Sequence, residues 1–88
     1  MKHFAILFLT RSGCHLCDQA RPSVFRAAKR SGAEVIEVDI DSEDDLISEF
    51  GLRIPVVLGP DDRVLAEGNV VTRSLRRELR HLRRTMGD

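Results

Sequence analysis

An unbroken apolar run, Phe4-Ala5-Ile6-Leu7-Phe8-Leu9, is followed after four residues by both cysteines of the chain, in Cys14-His15-Leu16-Cys17. Six apolar residues without polar alternation are the pattern of a strand covered on both faces. Behind it Leu16, Ala20, Val24, Ala27 and Ala28 recur at helical spacing and Ser31-Gly32 supplies a stop, which predicts a helix from His15 to Arg30. The two thiols therefore stand where a strand gives way to a helix. A structural bridge, a metal half-site and a redox dithiol all fit their spacing.

The alternation continues. Val35, Ile36, Val38 and Ile40 mark a second strand over Ala33 to Ile40. Ser42 with Asp45 three residues on resembles a capping box, acids fill the first turn, and Gly51 offers a left-handed stop, so residues 43–50 are predicted as a short helix. Ile54 to Leu58 reads as a third strand, Gly59-Pro60-Asp61-Asp62 as a turn, and Arg63 to Glu67 as a fourth strand in a hairpin with the third. Thr72 or Ser74 is the expected cap of a last helix whose Leu75, Leu79, Leu82 and Met86 recur at helical spacing. The order is β-α-β-α-β-β-α, an α/β chain without repeat, low-complexity tract or linker.

The 88 residues suit one domain, 1–88, with a thin core. Two cysteines allow at most one bridge, and a bridge closing so short a loop constrains little of the denatured chain. Stability is therefore not its expected purpose. The N-terminal apolar run is shorter than a signal's apolar region, and Arg11 and Gly13 stand where small cleavage-site residues belong. No segment approaches the roughly 20 apolar residues of a membrane span. A cytoplasmic, reducing setting is expected, where a lone C-x-x-C points to catalysis or metal rather than architecture.

The order of elements, with C-x-x-C after the first strand, resembles the thioredoxin fold in its minimal glutaredoxin-like form, a four-stranded mixed sheet flanked by three helices. Three features carry the likeness: Cys14 and Cys17 at the first strand-helix junction, Pro22 five residues after Cys17, and Ile54-Pro55-Val56 entering the third strand. Thr10-Arg11-Ser12-Gly13-Cys14-His15-Leu16-Cys17 and Gly51-Leu52-Arg53-Ile54-Pro55-Val56 are most similar to a small bacterial glutaredoxin-like family. The resemblance implies a thiol–disulfide oxidoreductase acting on protein or glutathione mixed disulfides, with Pro55 in cis and shaping the substrate groove. Such a bond is expected to turn the Ile54 carbonyl and N–H toward an extended substrate. Pro22 is expected only to bend the first helix.

Physical chemistry supports that use of the dithiol. Residues three apart on a helix are neighbours, so an i, i+3 pair reaches the roughly 4.4–6.8 Å Cα separation that a disulfide tolerates. Unpaired N–H groups and the positive end of the helix dipole favour a thiolate at the helix start. Cys14, nearer the turn, is the expected nucleophile and Cys17 the resolving thiol. His15, when cationic, would stabilise the thiolate further and is the candidate modulating residue; an ordinary solvated histidine is the alternative reading.

The same residues bear on other ligands. Structural zinc wants four Cys or His ligands, and His3, His15 and His81 show no paired spacing, so no metal site is expected. Haem attachment requires His after the second cysteine, where Asp18 stands. A non-catalytic adaptor holding a [2Fe–2S] cluster shared between two chains is the contrasting hypothesis. No tightly bound cofactor is expected, with glutathione admitted as co-substrate: Arg11 and Pro55 match the family's glutathione-binding positions, whereas Leu9, Arg53 and Gly68-Asn69-Val70-Val71-Thr72 depart from them. Arg11, Arg53, Ile54, Pro55, Gly68 and Asn69 are the candidate substrate-binding residues.

Charge is balanced overall but separated along the chain. Asp39, Asp41, Glu43, Asp44, Asp45 and Glu49 occupy the middle, and Arg73, Arg76, Arg77, Arg80, Arg83 and Arg84 crowd the last helix. A solvated face is the expected reading, with an acidic partner, the acidic helix of a second copy and, weakest, nucleic acid as the alternatives. The absence of Trp and Tyr, with a net charge of +0, argues against a nucleic-acid partner. Expected partners are disulfide-containing proteins or glutathione, with no membrane, and a monomer is expected.

Overall fold

The apolar run becomes an inner strand of a mixed sheet. In the computed structural model, which describes residues 3–85, the elements are β1 (Phe4–Thr10), α1 (His15–Ser31), β2 (Ala33–Asp39), a 3₁₀ turn (Ile40–Ser42), α2 (Asp44–Phe50), β3 (Val56–Leu58), β4 (Val64–Glu67) and α3 (Thr72–Thr85). The strand order is β2-β1-β3-β4, with β1 and β2 parallel and the other pairs antiparallel. Element order, mixed sheet and three helices agree with the expected architecture.

Alternate β1 residues feed two cores, because successive strand side chains point to opposite faces. Phe4, Ile6 and Phe8 pack with Val57 of β3, with Ala20, Val24, Ala27 and Ala28 of α1 and with Leu75, Leu79 and Leu82 of α3. Leu7 and Leu9 join Val56 and Leu58, Ile40 and the α2 residues Leu46 and Phe50 on the other face. Met86, the remaining member of the apolar set read on α3, lies outside the described residues.

Several local expectations are corrected. Leu16 is exposed, and Cys17 takes the inward position in the first turn of α1, in phase with Ala20, Val24 and Ala28. The capping-box reading fails, since Glu43 is the N-cap of α2 and makes no side-chain cap bond, while Ser42 is spent in the preceding 3₁₀ turn. Gly51 is not left-handed but has φ −54°, and its value lies in close approach: a Cβ there would meet the Ile47 backbone oxygen at 2.6 Å. Thr72 is the first helical residue of α3 rather than its cap, preceded by Val71, whose carbonyl accepts from the Leu75 N–H at 3.0 Å. β3 begins two residues later than read, because the Arg53 and Ile54 N–H groups both turn back to the Phe50 carbonyl, at 2.8 and 3.1 Å.

Gly32, by contrast, closes α1 as expected, with φ 73° and its N–H donating to the Ala28 carbonyl. Pro22 lies inside α1, where it supplies no N–H to the helix ladder. Among the described residues no helix is long and apolar enough to cross a membrane.

Candidate functional site

The site lies where β1 and β2 end and β3 begins. The antiparallel register pairs Leu9 with Val56, and one further step along it sets Thr10 beside Pro55. The Gly68 N–H donates to the Pro55 carbonyl at 2.8 Å and Thr10 pairs with Asp39, so Asp39, Thr10, Pro55 and Gly68 form one row across the sheet. The turn from Arg11 to Cys14 rises from that row, tied by the Cys14 N–H to the Arg11 carbonyl at 3.2 Å. Gly13 in this turn has φ 80°, a left-handed conformation that favours glycine.

Cys14 and Cys17 are joined by a disulfide, with Cα atoms 5.2 Å apart. Cys14 is the N-cap of α1, in extended conformation, and its sulfur accepts the Cys17 N–H at 3.1 Å. A sulfur in place of the usual cap oxygen receives one of the donors that a helix start leaves over. Cys14 is half-buried at the rim and Cys17 is fully buried, so Cys14 is the more accessible of the pair.

The remaining candidates distribute around this pair. His15 begins α1, is exposed, and its Nε2 lies 3.2 Å from the Gln19 side-chain nitrogen one turn on. Arg11 turns to the β2 side, where its Nε and a terminal nitrogen donate to one Asp41 oxygen at 3.0 and 2.9 Å. Arg53 turns to the β4 side, stacks on the Phe50 ring at 5.1 Å and pairs with Glu67 at 3.0 Å. That pairing holds the Glu67 carboxyl below the usual carboxylate range. The two arginines thus turn toward opposite edges of the sheet, each held by a carboxylate of its own chain.

The Ile54–Pro55 peptide is cis and Pro55 is buried. The Ile54 N–H is committed to the Phe50 carbonyl, which corrects the expectation that this donor faces a substrate. Gly68, with φ 73°, follows β4 within the row, and the exposed Asn69 comes next after it.

One constellation escaped the sequence reading. The Thr10 hydroxyl donates to Glu37 at 3.0 Å, Arg21 donates to both Glu37 oxygens at 3.1 and 2.7 Å, and Arg21 also reaches Asp18 at 2.9 Å. The Arg21 guanidinium holds the Glu37 carboxyl below its ordinary range; partial burial opposes this and the Thr10 hydroxyl assists it. Arg21 is itself raised, by Glu37 first and Asp18 second. These side chains and the Arg11–Gly13 turn line a cleft of about 480 Å³ on the β2 side of the turn that leads into Cys14. The legible signals were the Asp18–Arg21 spacing and Glu37 standing between Ile36 and Val38; nothing local showed that β2 aims Glu37 at α1.

Comparison with known proteins follows the same outline. A family model described as a glutaredoxin-like domain (DUF836) matches residues 5–80. Among solved structures, the X-ray structure of protein XcR50 from X. campestris is 36% identical, covers 86% of this chain and 96% of its own, and superposes with a TM-score of 0.72. The solution structure of Ne2328 from Nitrosomonas europaea has 23% identity, 89% and 93% coverage and a TM-score of 0.74. Oxidised thioredoxin from Plasmodium falciparum, at 14% identity, 90% and 80% coverage and a TM-score of 0.62, shares the fold. Among curated proteins none matches by sequence. A thioredoxin fold with its cysteine pair at the head of α1, matched by a family model over most of its length, makes this chain a member of the glutaredoxin-like domain family.

Proposed function

We propose that the protein is a thiol–disulfide oxidoreductase in which Cys14 attacks and Cys17 resolves. The observation that carries this reading is the asymmetry of the pair: Cys14 caps α1 at the rim and accepts a backbone N–H, while Cys17 is sealed beneath it. In the reduced protein the Cys14 thiolate attacks one sulfur of a substrate disulfide. A Cys14–substrate disulfide forms and the other substrate sulfur leaves as thiolate, taking a proton from solvent. Cys17 then loses its proton, attacks the Cys14 sulfur and expels the second substrate thiolate. The dithiol has given two electrons and is left as the Cys14–Cys17 disulfide.

Glutathione or a dithiol protein would return those electrons, and protein disulfides or glutathione mixed disulfides are the substrate class. Arg11 and Arg53 suit substrate carboxylates, since an exposed ion pair of about 0–1 kcal/mol is exchanged at little cost. Pro55, Gly68 and Asn69 form the wall along which an extended substrate would lie, and His15 is the group placed to modulate Cys14. A single domain in the cytoplasm is the setting that suits this chemistry.

The test is turnover of a disulfide substrate with glutathione or dithiothreitol as reductant. Cys14→Ser brings the rate to the uncatalysed level, and Cys17→Ser accumulates a covalent mixed disulfide visible by mass. Turnover that survives Cys14→Ser overturns the assignment. A brown protein with visible absorbance and no turnover establishes the cluster-holding alternative instead.

A further inference from the structure

The charge separation along the sequence becomes a separation in space. Arg26, Lys29 and Arg30 of α1 and Arg73, Arg77, Arg80 and Arg84 of α3 are exposed, and Arg76 and Arg83 are half-exposed. Among the described residues none of them takes part in an ion pair. Arg21 reaches across to β2 and Glu78 to Arg63 at the β4 end, so the opposite flanks of α1 and α3 are the ones that meet. At 3.6 residues per turn, Arg26 and Arg30 on one helix and Arg76, Arg80 and Arg83 on the other fall on those flanks. The helical face is therefore predominantly basic, its two carboxylates Asp18 and Glu78 being held in ion pairs. Phe25, one turn on from Arg21, stands at the β2-side edge of that surface, 45% exposed, with Arg26, Lys29 and Arg30 lining the same hollow.

The opposite face of the sheet is its complement. The Ile40–Phe50 segment carries Asp41, Glu43, Asp44, Asp45 and Glu49 and no basic residue. Beside α2 lies a pocket of about 480 Å³ with Leu7, Leu9, Leu46 and Phe50 in its floor and Glu43, Glu49 and Asp62 at its rim. One face thus presents an aromatic side chain with three cations beside it, and the other an apolar pocket edged by carboxylates and large enough to take it.

We propose that this surface docks a second copy of the chain head to tail, with Phe25 entering the α2 pocket and its flanking cations meeting Glu43, Glu49 and Asp62. Charge complementarity within one sequence argues for this occupant over a phosphate polymer. A polyanion satisfies the cations but not Phe25, and it is repelled by the acidic face of a molecule whose net charge is +0. Because the two patches lie on opposite sheet faces, the contact is heterologous and leaves a free patch at each end. Neither patch includes Cys14, Cys17 or Pro55, so docking and disulfide exchange are independent.

Sedimentation velocity on the full chain tests this. The intact protein forms a concentration-dependent series beyond dimer, and its association constant falls about tenfold or more between roughly 20 mM and 500 mM salt. Phe25→Ser and Glu49→Lys are each monomeric alone, yet mixed they form a capped one-to-one complex, since each keeps the patch the other has lost. Unchanged melting temperature and disulfide turnover in both variants certify their folds. A protein that stays monomeric to roughly 1 mM at low salt, association that persists in the variants, or a monomer that binds a single-stranded RNA probe through its basic face would each overturn the proposal.

Discussion

At the scale of single residues the site depends on which donors face Cys14 and which carboxylates face the arginines. The Cys17 N–H on the Cys14 sulfur, at 3.1 Å, is a local consequence of the helix start, and it was legible as soon as the first cysteine was read as the junction residue. The partners of Arg11, Arg21 and Arg53 were not legible, because Asp41, Glu37 and Glu67 are 30, 16 and 14 residues away in sequence. Glu37 yields a prediction from its lowered pKa, which Arg21 causes first and the Thr10 hydroxyl assists. A carboxyl depressed in the folded state adds stability that is fully present above its unfolded pKa of about 4.3 and is lost as pH falls through the lower folded value. Glu37→Gln is accordingly expected to destabilise by about 0.5–1 kcal/mol at neutral pH. Melting curves of the two proteins should converge below the carboxylate range, and a gap that stays constant with pH would contradict the linkage.

At the scale of elements, apolar period carried most of the reading. The uninterrupted Phe4–Leu9 run and the recurrence of Ala20, Val24, Ala27 and Ala28 each encode burial directly, so β1 and α1 were recoverable within a residue or two. Capping signals fared worse around α2. Ser42 is drawn into a 3₁₀ turn capped by Asp39, whose side chain accepts the Asp41 N–H at 2.9 Å, and this moves the helix start past the expected cap. The two glycine stops now separate by mechanism. Gly32→Ala must hold a left-handed φ with open space around the new methyl and should cost about 1–2 kcal/mol. Gly51→Ala forces a methyl onto the Ile47 carbonyl, a fixed backbone atom, and should cost more. Chemical denaturation of both variants orders them, and an equal or reversed order would refute the distinction.

At the scale of the whole molecule, two thin cores share one sheet, and the larger is the one that seats α1 and hence the dithiol. Leu79, fully buried on α3, supports that core from beyond the site. Leu79→Ala should lose about 2–5 kcal/mol, a large share of the stability of a domain this small. Any disulfide-exchange rate per folded molecule should stay unchanged, since Leu79 packs in the core and belongs neither to the Arg11–Cys17 segment nor to the row of strand ends. A variant that keeps its stability but loses turnover would show a coupling that the packing does not contain. The separation of acids from bases was visible along the sequence, but the assignment of each block to its own sheet face required the topology.

The central claim is that the start of α1 makes Cys14 an anion while Cys17 stays protonated beneath it. Titration of the reduced protein by thiolate ultraviolet absorbance measures this, with the Cys14→Ser and Cys17→Ser variants alongside. A thiolate is expected to form at a pKa between roughly 3.5 and 7.5, retained in Cys17→Ser and absent in Cys14→Ser. A thiolate that forms only near about 8.5, or one that survives Cys14→Ser at low pH, would contradict it.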